Sequence, residues 1–295
     1  MKNRLLFIYN PNAGKKAIKD KLLEIINNLT DDNMELVVSP TKKRGDAEVR
    51  VMEYENDIDC EMIICSGGDG TLHEVVSGMM KRVHRVPIVY IPTGSTNDFG
   101  VSLNIPKDMV VASDMAKFGT PFPIDVASLN HDYFVYTCCF GLFTETSYAT
   151  PQAAKNVLGH FAYILKGSTE LAKIKKYHMR VEFDDEVITD TFIFGMVCST
   201  SSVGGFKGIT GKDVRFDDGY YEMILIKDGS MLDLIPIVND LLKGNHSHER
   251  VIYRRVNKVK FTSEKEVAWC VDGEFAGNLR VADIKINRRA VTLMI

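Results

Sequence analysis

The sequence predicts an α/β domain, a parallel sheet with helices on both faces, followed by a second domain rich in antiparallel strands. Two observations carry this reading. Before Phe118, short apolar runs without alternation take turns with helix-like patterns, and strands of that texture are buried on both faces. After Pro123, strand-like runs follow one another through turn residues.

In order, Leu5-Leu6-Phe7-Ile8-Tyr9 reads as a buried strand that stops at the turn-forming Asn10-Pro11-Asn12-Ala13-Gly14. Leu22, Leu23, Ile26 and Leu29 then recur at helical spacing. Leu36 to Val38 is the second strand, Gly45 to Glu55 a helix, and Met62 to Cys65 the third strand, ending at Gly67-Gly68. Leu72, Val75, Val76 and Met79 form one helix face, and Pro87 to Ile91 is the fourth strand, stopped by Pro92. The Pro/Gly stretch Gly119 to Pro123 is the expected boundary, giving domains 1–122 and 123–283. Beyond it Val126 to Leu129, Phe134 to Phe140, Met179 to Phe183, Thr191 to Cys198, Tyr220 to Ile226, Val251 to Phe261 and Glu266 to Val271 read as strands. Helical patterns around Ala153 to Lys175 and Leu232 to Leu242 interrupt them.

At 295 residues the chain has room for two ordinary domains. Its composition, 45% hydrophobic and 25% charged, is that of a globular protein. A net charge of -3 argues against a nucleic-acid partner, which calls for a basic excess. The six cysteines make no CxxC pair and sit mostly in apolar runs, so buried thiols are expected rather than a zinc site. No signal-peptide run is found, and nowhere do about 18 apolar residues follow one another; the expectation is a cytoplasmic protein.

Two glycine-rich loops follow expected parallel strands, the end of the sheet where α/β folds bind ligands. Gly67-Gly68-Asp69-Gly70-Thr71 runs into a helix, and glycines before a helix N-terminus suit phosphate. An aspartate there suits a divalent cation or water between it and the phosphate; in isolation it would read as a helix cap. Pro92-Thr93-Gly94-Ser95-Thr96-Asn97-Asp98-Phe99 sets hydroxyls, an amide and a carboxylate before another helix. Asn10 to Gly14, followed by Lys15, lacks the spacing of a P-loop, and Lys15 alone would read as a surface lysine.

Together these loops resemble the diacylglycerol kinase catalytic-domain family, related to the sphingosine kinases and more distantly to NAD kinases. Ser147 to Pro151, Phe161-Ala162-Tyr163 with Lys166-Gly167, Asp217-Asp218-Gly219-Tyr220 and Val271-Asp272-Gly273-Glu274 match the family in order, so the likeness runs nearly end to end. The resemblance implies a nucleotide-binding domain, then a β-sandwich domain that takes the lipid, with the active site in the cleft between them and residues 284–295 returning to the first domain. It implies ATP on Asn10, Pro11, Asn12, Ala13, Gly14, Thr41, Gly67, Gly68, Asp69, Gly70, Thr71, Leu72, His73 and Thr93. Glu274 corresponds to the general base that takes the acceptor hydroxyl's proton, whereas alone it would read as a hairpin-turn acid. Asp69, Asp98 and Asp125 correspond to an acidic network holding the catalytic Mg²⁺ through water, with Lys15 and Lys166 as matched cations. A second, structural Mg²⁺ is implied on the Asp218 carboxylate and the carbonyls of Arg215 and Tyr220.

Two positions depart from the pattern. Val101 stands where close bacterial enzymes carry an arginine paired with the acidic network, and His73 replaces an asparagine. A lipid acceptor must be drawn from a bilayer, and Ala153 to His178 sets five lysines and Phe161, Tyr163, Ile164 and Leu165 against the single acid Glu170. That composition suits either peripheral contact with anionic lipid or a solvated helix packed on the sandwich. Homodimers occur in the family, and no residue here argues for one. A kinase for a sphingoid base would share every motif. The Thr93 to Phe99 loop speaks against NAD kinase, and Val101 keeps open a non-catalytic ATP-binding regulator.

Overall fold

The computed structural model describes residues 3–30, 34–142, 174–203, 206–211 and 214–295. It divides into two compact units, Met1–Val126 with Arg289–Ile295, and Ala127–Arg288. The sequence reading set the limits at 122/123 and 283/284. In the structure Pro121 begins a strand that runs on to Leu129.

In the first unit β1 (Asn3–Tyr9) pairs in parallel with β2 (Met34–Pro40) on one side and β3 (Cys60–Gly67) on the other, and β3 pairs in parallel with β4 (Ile88–Pro92). The order β2-β1-β3-β4 reverses direction at β1. Right-handed crossovers then put α1 (Ile18–Leu29) on one face and α2 (Asp46–Glu53) with α3 (Asp69–Lys81) on the other. The strands read as unbroken apolar runs because they are buried throughout: Leu5 to Ile8, Ile63 to Cys65 and Ile88 to Ile91 have almost no exposure. Helix α1 buries Ile18, Ile25 and Leu29, whereas Leu23 points to water. The expected face including Leu23 is thus corrected, since Ile18, Ile25 and Leu29, seven and four positions apart, share one stripe of the helix and Leu23 lies off it. On α3 Gly78 lets α2 approach: a Cβ there would stand 2.8 Å from the Val51 Cβ. Short helices α4 (Asp98–Ser102), α5 (Met109–Ser113) and α6 (Met115–Phe118) follow. Asn28 of α1 ties α5 down by donating to Ser113 and Asp114, each at 2.7 Å.

The chain passes between the units along β5 (Pro121–Leu129) and β15 (Glu274–Met294). At the far end of β15, Leu293 and Met294 pair in parallel with Ile88 and Val89 of β4, and Ile295 exchanges two backbone hydrogen bonds with Thr120.

Antiparallel pairing dominates the second unit. After β6 (Asp132–Phe134) come β7 (Thr137–Gly141), β8 (Tyr177–Phe183), β9 (Glu186–Cys198), the short pair β10 (Ser202–Val203) and β11 (Phe206–Lys207), and β12 (Tyr221–Lys227). Helix α7 (Leu234–Leu242), β13 (Val251–Val256) and β14 (Lys258–Val271) complete it before β15. β7 and β8 lie end to end, each paired with both β9 and β14. Alternate residues Met179, Val181 and Phe183, Tyr221, Met223 and Leu225, and Val267, Trp269 and Val271 share one core. Ile193, Ile224 and Ile226 on the other face meet Leu234, Ile237 and Leu241 of α7.

Two expected strands are each two. The run Phe134 to Phe140 breaks at Val135–Tyr136, whose amides go to the Asp272 carboxylate instead of a ladder. The run Val251 to Phe261 breaks at Asn257: residues before it pair with β12, and those after it pair with β8 and β15. All six cysteines are free thiols. The helical pattern of 153–173 lies outside the described residues, and Tyr177 and His178 belong to β8.

Candidate active site

Strands β1, β3 and β4 end level with one another, and their ladder continues into the loops. The Asn10 amide donates to the Ser66 carbonyl and the Thr93 amide to the Gly67 carbonyl, both at 2.8 Å, while Thr41 donates to Tyr9 at 2.9 Å. Four expected nucleotide loops therefore issue from one end of the first unit's sheet. Their glycines are required by contact. A Cβ on Gly14, whose φ is +52°, would stand 2.4 Å from the Thr93 carbonyl oxygen. A Cβ on Gly94 would stand 2.5 Å from the Gly68 Cα, and one on Gly67 would meet the Thr71 Cβ at 2.3 Å. Loop thus lies against loop with no side chain between.

Each loop also closes on itself. Asn10 Oδ1 accepts from the Asn12 amide at 2.9 Å, and its Nδ2 donates to Thr71 Oγ1 at 3.4 Å. Pro11 is half-buried, Ala13 is buried, and Asn12 and Lys15 are exposed. Asn97, in left-handed backbone with φ 52°, accepts from the Gly94 amide and donates to the Gly94 carbonyl. Tyr90 donates its hydroxyl to the Gly67 carbonyl at 3.3 Å; burial and the Asp69 carboxylate push its phenol well up, so it stays neutral. Gly68 caps α3 without a side chain, which leaves that end of the helix dipole open to an anion. Thr71 and Leu72 are buried in the first turn, and Gly70 and His73 are half-buried beside them. The buried hydroxyls of Ser66 and Thr93 have no partner.

The carboxylates divide by environment. Asp69 accepts from the Asp98 and Phe99 amides at 3.2 and 3.4 Å and so caps α4. Asp98 is 3% exposed and Asp125 2%. Asp125 Oδ1 accepts from the Arg289 amide at 2.7 Å, which fastens the returning β15 segment. Val101 lies on α4 and is half-buried.

In the second unit Glu274 is half-buried and opens β15. It follows a two-residue turn, Asp272 (φ 46°) and Gly273 (φ 84°), closed by the pair Val271 and Glu274. The Asp272 carboxylate is 4% exposed and accepts from the amides of Val135 (2.8 Å), Tyr136 and Thr137 (both 3.0 Å). Phe216 to Gly219 form a run of bends before β12. There Asp218 accepts from the Tyr220 amide at 3.0 Å and pairs with Arg255, whose guanidinium lies over the Tyr220 ring at 5.3 Å. Glu222 is buried below this loop with Oε2 unpartnered, and burial pushes its carboxyl up to about 8.

Residues 4–129 match the diacylglycerol kinase catalytic domain family, and residues 144–295 match the YegS C-terminal NAD kinase beta sandwich-like domain. A protein of Staphylococcus carnosus named diacylglycerol kinase is 34% identical over 280 residues, covering 95% of this chain and 91% of that one. The chain belongs to the diacylglycerol kinase family. A diacylglycerol kinase of Staphylococcus aureus is 32% identical over 98% of this kinase and 91% of its own length. A crystal structure of a diacylglycerol kinase from Bacillus anthracis shares the fold, with a TM-score of 0.76 at 21% identity over 99% of this chain and 96% of that one.

The kinase's residues suit the groups its family implies. Unpartnered buried hydroxyls, an uncapped helix end and glycine backbones offer donors to a polyphosphate. Asp69 already serves two amides, which suits contact with a cation through water more than direct ligation. Near Asp218 the buried Glu222 keeps Oε2 without a partner while its Oε1 pairs with Arg255 at 3.7 Å, so an oxygen of that carboxyl is left over for a second cation. Glu222 was missed in the sequence because it sits at a strand position that reads as core. Glu74 was missed too: its carboxylate accepts from Gly45 at 2.8 Å and Ala47 at 3.1 Å, holding the loop after Thr41 from helix α3. Lys166, with Lys155, Lys173 and the aromatic residues of the basic segment, lies outside the described residues. At the segment's end Lys176 pairs with Asp228 at 2.8 Å, which offsets part of the expected positive charge. Among the described residues no helix is long and apolar enough to cross a membrane.

Proposed function

We propose that this kinase transfers the γ-phosphoryl group of ATP to the hydroxyl of diacylglycerol or a similar lipid. The observation that supports it most is the backbone contact of Gly14 with Thr93 and of Gly68 with Gly94, which stacks three family loops around an uncapped helix N-terminus. On this reading ATP lies on Asn10 to Gly14, Thr41, Gly67 to His73 and Thr93. Glu274 takes the acceptor's proton as its oxygen bonds to the γ-phosphorus and the bond to the β–γ bridging oxygen breaks, releasing ADP. Mg²⁺ held through water by Asp69, Asp98 and Asp125 would neutralise charge on the phosphates, and Lys15 and Lys166 add positive charge. Arg215, Asp218 and Tyr220, with Glu222 behind them, would hold a structural Mg²⁺. The acceptor is drawn from a membrane surface, where the lysines of 153–178 favour anionic lipid.

Labelled ATP, dioleoylglycerol in mixed micelles and Mg²⁺ test the reading. Wild type is expected to label the lipid, and Glu274→Gln to lower kcat by about two orders of magnitude or more with ATP affinity kept. Label on sphingosine but not on dioleoylglycerol would reassign the acceptor. No label on any lipid, with ATP still bound, would leave the binding-only reading, for which Val101 gives the motive.

A further inference from the structure

We infer that Asp272 is a positioning residue for the reaction, acting through Glu274, and the inference rests on Glu274 being the base. A base on a hairpin turn is hard to hold, because turn residues carry few packing contacts. Here the turn is fixed by its own first residue. The Asp272 carboxylate gathers three consecutive amides, Val135, Tyr136 and Thr137, and the Asp272 amide donates back to the Thr137 carbonyl at 2.8 Å. The platform that supplies these amides is itself anchored. Tyr221 donates its hydroxyl to the Val135 carbonyl at 2.8 Å, and the Ser199 amide donates to the Tyr136 carbonyl at 2.8 Å. Tyr221 is fully buried, edge-on to Phe134 with ring centroids 5.9 Å apart. Rigidity thus passes from the core through 135–137 to Asp272, and from Asp272 across Gly273 to Glu274.

The clamp also explains why the turn has its form. Asp272 and Gly273 both need positive φ, which the two-residue hairpin demands and which Asp and Gly tolerate best. Asparagine at 272 would keep the turn, but its Nδ2 donor would face an amide donor. So the carboxylate is needed for the clamp and not for the bend.

The experiment compares Asp272→Asn, Glu274→Gln and the double variant by steady-state kinetics and ATP titration, with far-UV circular dichroism as the check on folding. Asp272→Asn is expected to lower kcat about 10- to 100-fold, the loss a misplaced catalytic group produces, with KM for ATP within about twofold of wild type. The double variant should be no slower than Glu274→Gln alone, because a positioning residue has nothing to act on once the base is gone. Multiplied losses in the double variant would overturn the inference and make Asp272 merely structural. If Glu274→Gln keeps full activity while Asp272→Asn loses it, the base assignment fails and the inference falls with it, a pattern distinct from multiplied losses. Should Asp272→Asn not fold, Gly273→Ala carries the test, since it leaves the clamp in place and strains the turn at φ 84° with no atom within 4 Å of the new Cβ. Its kcat should fall and the fall should vanish in the Glu274→Gln background; an unchanged kcat overturns the inference.

Discussion

At the residue scale the glycines of the first unit act by what they let approach, and their substitution should be felt by ligand and fold alike. Gly14→Ala would drive a methyl into the Thr93 carbonyl in a left-handed backbone. We expect it to cost about 1–3 kcal/mol of stability. ATP affinity should fall about tenfold or more, the equivalent of 1.4 kcal/mol. Thermal melts and calorimetric titration check both, and an alanine variant that binds ATP normally would mean the contact with Thr93 is not needed for the site. Asp69 and Asp272 show a second residue-scale lesson. Each caps amides far off in sequence: Asp69 those 29 and 30 residues after it, and Asp272 those 135, 136 and 137 residues before it.

Elements of the first unit are held at their ends by carboxylates from other elements. Glu74 on α3 holds the start of α2, so Glu74→Ala should cost about 1–3 kcal/mol, the penalty for leaving two amides without their charged acceptor. Hydrogen exchange at Gly45 and Ala47 should quicken in that variant, and exchange elsewhere on α2 reports whether the whole helix loosens. Asp46 secures the same loop from the other side: hydrogen bonds from the Lys42 and Lys43 amides hold its carboxyl below the ordinary aspartate range. A lowered value in the folded state means its stabilisation is complete above that ordinary range and is lost as pH falls through the lowered value. Wild type should therefore melt higher than Asp46→Ala at neutral pH, with the gap closing as pH falls below the ordinary aspartate range. A gap independent of pH would assign the effect to packing.

For the whole molecule the chain ends matter more than their length implies. Residues 289–295 belong to the first unit, where Val291 and Leu293 are buried, Ile295 pairs with Thr120, and the Arg289 amide is held by Asp125. Deleting Arg289–Ile295 removes an edge of the parallel sheet and two core side chains, each worth about 2–5 kcal/mol when cut back. Urea unfolding should lose most of the first unit's stability, seen as a lower midpoint for probes there. Equal stability with and without the segment would show that β4 needs no partner on that side.

What the sequence determined by itself was local. Unalternated apolar runs set β1, β3 and β4, strand-like runs between turn residues set β8, β12 and β14, and helical spacing set α1 and α3, because burial writes its pattern directly into neighbouring residues. The glycine loops were legible as motifs for the same reason: a turn's backbone demands are met by the residues in it. Tertiary structure decided the rest. Whether Leu23 faced the core, where the run Phe134 to Phe140 would break, and that Glu74, Glu222 and Asp272 would hold or line loops far away depended on contacts between distant segments. A carboxylate on a helix or a turn reads the same in sequence whether it meets water or three buried amides. Only the assembled fold supplies the amides, and with them the physical reason for the acid.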